Sequence, residues 1–309
     1  MLEKNTGLTK NSSFIDKQAI DFISGFIAGT FCAGLFHPID RALYLSITEE
    51  RPFFSRINFI SPYHGLTQTL FQRAIIGSSY YIVQAKMSTY ITTNVVVNDL
   101  VQRGLVGMSA GASYSLMTNA AAMIRAHMWG DSSRTFTKSF KEIVSSQGWQ
   151  ALGRGQKASL LRDVSHGSIY EMLRYQFHHS SKAHLSKHFF SQHQNGIQFF
   201  NNCLAACMGT VLAAPFNYAR AKQFATPAKD TPASVSFILK DVLKESAAYT
   251  TTSARLLFFQ QKFRIGIGTG RSALGMAVGQ EIFDRTRSVL SEKLQEHPIA
   301  TKIAPCQKS

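Results

Sequence analysis

Three arginines recur in one setting along this chain. Arg73 lies in FQRAIIGSSYYIVQAK, Arg162 in ASLLRDVSHGSIY and Arg271 in TGRSALGMAVGQEIFD, each inside an apolar, helix-compatible stretch. Thirteen residues after each stands Lys86, Tyr175 or Asp284, about where the apolar stretch ends. A guanidinium is a rigid fork of N–H donors that grips carboxylate or phosphate bidentately. Three of them at matching depth, facing a wet interior, make an anion receptor through charge-assisted hydrogen bonds. Asp163 follows Arg162 directly, which puts an ion pair inside an apolar helix. Ser159, Arg162, Asp163, His166 and Tyr170 share helical spacing, so this helix carries one polar face.

A second kind of helix must alternate with these. In SGFIAGTFCAGLFHPIDRAL, Gly25 and Gly29 stand 13 and 9 residues before Pro38; in VGMSAGASYSLMTNAAAMIR, Gly107 and Gly111 stand at the same offsets before Ala120. In FNNCLAACMGTVLAAPFNYAR, Asn202 and Ala206 do so before Pro215. Small residues one turn apart let two helix backbones approach closely, and Pro38 and Pro215 are expected to kink or close their helices. Three units of one order mean an internally repeated fold. The links RTFTKSFKEIVSSQG and PASVSFILKDVLKES read as short amphipathic helices, the first with Phe140, Ile143 and Val144 on one side and Lys138, Lys141 and Glu142 on another. The corresponding TEERPFFSRINFISPYHG of the first unit reads as an irregular loop. The expected division is a tail over 1–17, repeats over 18–96, 97–195 and 196–290, and a polar tail over 291–309.

Composition agrees with a bundle of this kind. The chain has 309 residues, 33 Lys+Arg and 18 Asp+Glu, a net charge of +15, which asks for an anionic partner. The basic residues are spread out and build no basic recognition helix, which favours a small anionic substrate over nucleic acid. A charged fraction of 17% is low against about 25% for water-soluble domains, whereas a mean hydropathy of −0.05 is low for a lipid-facing bundle. A bundle with a polar, water-filled interior satisfies both. The expected fold is therefore an all-α membrane protein, six transmembrane helices in three pseudo-symmetric two-helix repeats around a central polar cavity.

Other motifs carry less. Cys32, Cys203, Cys207 and Cys306 form no C-x-x-C pair, and the first three read as small packing residues. The start, MLEKNTGLTKNSSFIDKQ, is neither a secretory signal nor an arginine-rich transit peptide. His178, His179, His184, His188 and His193 read as a polar inter-helix loop, since no Cys, Asp or Glu stands by to complete a metal site. Gly266, Gly268 and Gly270 imitate a phosphate loop but lack the following Lys-Ser/Thr and a preceding strand. No hydrolase triad or paired-carboxylate site is visible. The sequence is read as a non-enzyme without cofactor or metal.

Over roughly residues 18 to 290 the chain resembles the mitochondrial carrier family, most specifically in GWQALGRG followed by LLRDVSHGSIY. That family's odd helices end in P-x-[DE]-x-x-[KR], and each motif acid pairs with the next repeat's cation to close the matrix side. Here Pro38 and Asp40 match but Leu43 stands at the cation; Ala120 and Ala122 replace proline and acid while Arg125 keeps the cation; Pro215 and Arg220 match but Asn217 is an amide. The resemblance implies that only Asp40–Arg125 survives as a gate pair, so the matrix gate is expected to be weak. The family's outer aromatic-acid pair appears only as Phe283-Asp284, with Ala85-Lys86 and Arg174-Tyr175 elsewhere.

By the same resemblance Arg73, Arg162-Asp163 and Arg271 fall at the family's substrate contact points. Arg73, Arg271 and Arg220 match arginines of ADP/ATP carriers, which favours a nucleotide; ARAKQF is not those carriers' RRRMMM, Ala33 replaces their lysine, and an Arg-Asp pair at the second contact point is more typical of amino-acid carriers. The decayed motifs and polar tail are unlike an organelle's own carrier and similar to those of carrier-like nucleotide transporters that bacteria inject into host cells. The expected protein is a monomeric carrier in the lipid bilayer of the mitochondrial inner membrane, the host's if it is an effector. It would exchange a small anion, a nucleotide in preference to an amino acid or carboxylate, by alternating access. The competing classes are a non-transporting membrane scaffold and a basic helical interaction protein outside the membrane.

Overall fold

A computed structural model describes residues 6–73, 78–131, 133–227 and 229–296, and among them every regular element is helical. Five helices are long: α1 (Thr6–Thr48), α4 (Asp99–Gly130), α6 (Gln156–His184), α8 (Gln194–Ala225) and α11 (Ile267–Glu296). A sixth position is filled by α2 (Leu66–Gln72) and α3 (Ser78–Asn94), which lie on either side of residues 74–77 of the even helix expected around Arg73, and those four lie outside the described residues. The long helices have 29 to 43 residues, against about 20 needed to cross a bilayer core. Two pass a test of length and apolarity together, Gln18–Thr48 and Gln194–Ala225.

Neighbour relations close into a ring. α1 lies against α11 and against α2 and α3, α3 against α4, α4 against α6, α6 against α8, and α8 against α11. The three odd-numbered members of this ring, α1, α4 and α8, also touch one another. Small residues set the tightest seams. A Cβ on Gly107 would lie 2.0 Å from the Gly167 carbonyl oxygen, and one on Gly111 would lie 2.2 Å from that of Asp163. In the first repeat a Cβ on Gly29 would lie 2.9 Å from the Arg73 carbonyl oxygen, and in the third Ala206 clusters with Ala273. Thus the residue nine positions before the motif proline, or Ala120, packs against Arg73 in the first repeat, against Asp163 in the second and in one cluster with Ala273 in the third. Gly25 is buried on the same helix. Cys32 and Cys203 approach the carbonyls of Gly275 and Ala273, and all three described cysteines are free thiols in helix seams.

Short elements fall largely where the pattern put them. α5 (Phe136–Gln147) starts on Thr135, whose side chain accepts from the Lys138 amide, and buries Ile143. α9 (Val235–Ala247) is capped in the same way by Ser234. The first repeat has only a 3-10 turn at Arg56–Phe59.

Several boundaries differ from expectation. The third repeat adds α10 (Thr252–Lys262) after α9. The histidine-rich stretch is no loop: α6 runs to His184 and α7 (Lys187–Gln192) follows. Neither proline ends its helix, since α1 continues ten residues past Pro38 and α8 ten past Pro215. A proline costs one hydrogen bond and a local clash, which a packed helix can absorb. Helix α1 already begins within the expected N-terminal tail, and α11 reaches six residues into the expected C-terminal one; Cys306 lies outside the described residues.

Apolar and aromatic side chains cluster where the odd helices meet. Ala122, Met128, Phe224 and Ile143 form one buried cluster, Ile47, Tyr218, Ala221 and Val242 another, and Tyr44 packs against both. Trp129 and Phe224 stand nine residues after Ala120 and Pro215, and Ile47 nine after Pro38. Each meets the turn that starts the preceding repeat's even helix, taken cyclically. The His64 carbonyl accepts from Trp129 Nε1 at 3.1 Å, and Gly65 lies against the indole. Gly155, with φ of 72°, faces the Phe224 ring, while Arg154 donates to the carbonyls of Thr226 and Asp230 at 2.7 Å. Arg264 donates to the Ser46 carbonyl at 2.7 Å, next to buried Ile47.

Candidate functional site

Above this plug the interior is arginine-rich. Arg162 chelates its neighbour: Nε and Nη2 donate to the two Asp163 oxygens at 2.8 Å each. The side chains are 18% and 14% exposed, so the pair is neither dry nor at the surface. Arg271 pairs with Asp40 of α1, its guanidinium 5.0 Å from the centre of the Phe36 ring. Arg73 donates to the Tyr114 hydroxyl of α4 at 3.2 Å. Thus two of the contact-point arginines, Arg162 and Arg271, are held by carboxylates and the third, Arg73, by a phenol.

The expected Asp40–Arg125 gate pair is not formed. Asp40 is taken by Arg271 across the α1–α11 seam, and Arg125 donates instead to Gln72 Oε1 at 3.2 Å while stacking on Trp129 at 5.0 Å. Arg220 donates to Asn217 Oδ1 at 3.1 Å on its own helix and stacks on Phe224 at 5.4 Å. Among the described residues no carboxylate lies within ion-pair distance of Arg125, Arg220 or Arg73. Ala122 is buried in the apolar cluster, and Leu43 points toward Gly268 of α11. Beside these residues lie aromatic side chains instead, Trp129 against Arg125 and Phe224 against Arg220, with Tyr44 packed against both apolar clusters.

The rest of the expected polar face divides between two seams. Ser159, 2% exposed, donates to Asn119 Oδ1 at 2.7 Å, and Asn119 donates to the Leu152 and Arg154 carbonyls, which pins α6 to α4. His166 shares a hydrogen bond with Thr210 of α8 at 3.3 Å. Tyr170 is buried among Ala205, Ala206 and Ala273. These three are packing residues in this state. Only Arg162 and Asp163 of that stripe join the arginine cluster.

At the other end Asp284 accepts from Gln280 on its own helix and, among the described residues, makes no inter-helix ion pair. Lys86 is exposed, and Arg174 pairs with buried Glu171, which also accepts from Gln84 of α3 at 2.9 Å. Gly268 and Gly270 spend their amides on helix-start bonds to Arg264 and Gly266, which leaves no phosphate cradle. Among the described residues no three His, Cys, Asp or Glu side chains converge. Sequence reasoning missed Tyr114, Gln72, Trp129 and Phe224. The shared nine-residue offset of Ile47, Trp129 and Phe224 was the available signal for the last two. No known family's sequence pattern matches the chain, and no curated protein matches it.

Proposed function

We propose that the protein is a membrane carrier that moves a small anionic metabolite, a nucleotide in preference to others, by alternating access through a six-helix ring. The observation that carries this reading is an inverted surface. α1 exposes Phe22, Ile23, Phe26, Ile27, Phe31 and Leu35 while hiding Ser24 and His37 completely. α4 exposes Leu116 at 65% and buries Ser115 and Asn119; α8 exposes Phe200 at 60% and buries Asn201 and Asn202. Apolar residues outside and polar residues inside suit a hydrocarbon solvent. The two helices that pass the apolarity test are only 33% and 39% buried over their best windows, unlike the core helices of a water-soluble bundle. The other long helices are less apolar: α4 is rich in Gly, Ser, Thr and Asn, and α6 and α11 carry Arg162, Asp163 and Arg271.

The arginine cluster supports an anion as cargo. One closed ring per chain offers a complete pathway, so the carrier works as a monomer, and the mitochondrial inner membrane is its site by resemblance. Arg162-Asp163 favours a second reading, an amino-acid or carboxylate carrier, in which Asp163 meets an ammonium. Purified protein in liposomes preloaded with each candidate, offered a labelled metabolite panel, tests the function; counterflow of nucleotides is expected. Full recovery of the expressed protein in the supernatant after carbonate extraction would end the carrier reading.

A further inference from the structure

Five arginines line the interior, Arg73, Arg125, Arg162, Arg220 and Arg271, against two carboxylates, Asp40 and Asp163, a net of +3. These charges act on one another. Arg125 lies within electrostatic range of Arg73 and Arg162, and Arg220 within range of Arg162, Asp163 and Arg125. The carboxylates are already committed to Arg162 and Arg271. Among the described residues Arg73, Arg125 and Arg220 hold a phenol, two side-chain amides and two ring faces. Arg125 and Arg220 each keep a buried Nε–H that no acceptor takes. Idle donors and like charges in an enclosed interior are costs that an entering anion removes.

We propose that Arg73, Arg125 and Arg220 form the seat of a multivalent anion, one with two or more linked anionic groups such as a phosphate chain or a tricarboxylate. The two cations at gate-motif positions thereby serve as ligand contacts, because Ala122 and Asn217 stand where carboxylates would have neutralised them. A monoanion leaves most of the +3 uncompensated, and a zwitterion leaves all of it. This names the ligand class of the site used in the transport reading and rests on that reading. Binding is nevertheless measurable without transport, so the two can fail separately.

The test is thermal unfolding of the purified full chain in detergent, at fixed ionic strength, with orthophosphate, pyrophosphate, tripolyphosphate and citrate. Stabilisation is expected to rise with anion charge, with tripolyphosphate at least tenfold tighter than orthophosphate. Citrate matching tripolyphosphate would assign a tricarboxylate, and citrate without effect would assign a phosphate chain; either outcome keeps the seat. Asn217→Asp supplies Arg220 with a carboxylate where its amide partner now stands and should weaken tripolyphosphate at least tenfold. Arg125→Gln should do the same and serves if Asn217→Asp fails to fold. Arg285→Gln, on the exposed face of α11, should change nothing. Stabilisation independent of anion charge, or wild-type binding by the Asn217→Asp and Arg125→Gln proteins, overturns the proposal.

Discussion

Gly155 sits so close to Phe224 that a Cβ built on it would lie 2.5 Å from the ring Cε1 atom. The two residues belong to successive repeats, and their contact is one of the points where the closed end is sealed. Because Gly155 also has φ of 72°, Gly155→Ala meets both a clash and a strained backbone. Expected destabilisation is about 1–3 kcal/mol, read as a lowered unfolding midpoint in detergent. Gly153→Ala, where a Cβ has nothing within 4 Å, should stay close to wild type. Equal midpoints for the two variants would show that the Gly155–Phe224 contact does not seal this end.

Asp40 forms its ion pair with Arg271, while Arg125 takes the Gln72 amide oxygen. A double-mutant cycle on Asp40→Asn and Arg271→Gln should give a coupling of about 1–3 kcal/mol, while Asp40→Asn with Arg125→Gln should add within about 0.5 kcal/mol. The reverse ranking would restore the pairing implied by the motif.

Phe31 is 54% exposed near the middle of α1. If that face meets lipid, Phe31→Arg costs about 2.5–3.5 kcal/mol of insertion free energy and shifts protein out of the carbonate-resistant fraction. At a water-facing position the same change stays within about 0.5 kcal/mol, and unchanged extraction would count against the bilayer.

Glu50 couples α1 to α8 outside the ring. Its carboxylate pairs with Lys222 at 2.6 Å, and that hydrogen bond, followed by the charges of Lys222, Lys262 and Arg264, holds its pKa below the ordinary 4.5. A depressed carboxylate stabilises the fold above its unfolded pKa and loses that contribution as pH falls through the folded value. Glu50 is 58% exposed, so solvent limits the effect to about 0–1 kcal/mol. Stability curves of wild type and Glu50→Gln should differ at pH 7 and converge as pH falls through the lowered folded pKa of Glu50; a gap that persists in acid would assign the effect to something other than this charge.

The helical character of the chain was legible because it is periodic: small residues recur at fixed offsets, and α5 shows a two-sided pattern. Partner choice was not. Whether Asp40 meets Arg125 or Arg271 depends on which helix seam lies nearer, and Arg271 is 231 residues away along the chain. The aromatic plug was hidden for another reason. Ile47, Trp129 and Phe224 share an offset but not a residue type, so a search for repeated charges passes over them. Tyr170 and Ser159 share helical spacing with Arg162, yet a helix gripped from two sides spends part of any polar stripe on its neighbours.

The glycine contacts give the ring unequal stiffness. α4 and α6 meet backbone to backbone at Gly107 and Gly167, and α8 closes on His166 through Gly209, where a Cβ would lie 3.2 Å from the His166 carbonyl oxygen. These three helices form a clamped half in which sliding by a single side-chain width is blocked. In the seam between α1 and α11 the glycines face side chains instead, with a Cβ on Gly275 3.7 Å from the Phe36 ring and one on Gly279 3.3 Å from Cys32 Sγ. The sequence units thus meet through seams of unequal closeness, backbone against backbone in one place and backbone against side chain in another.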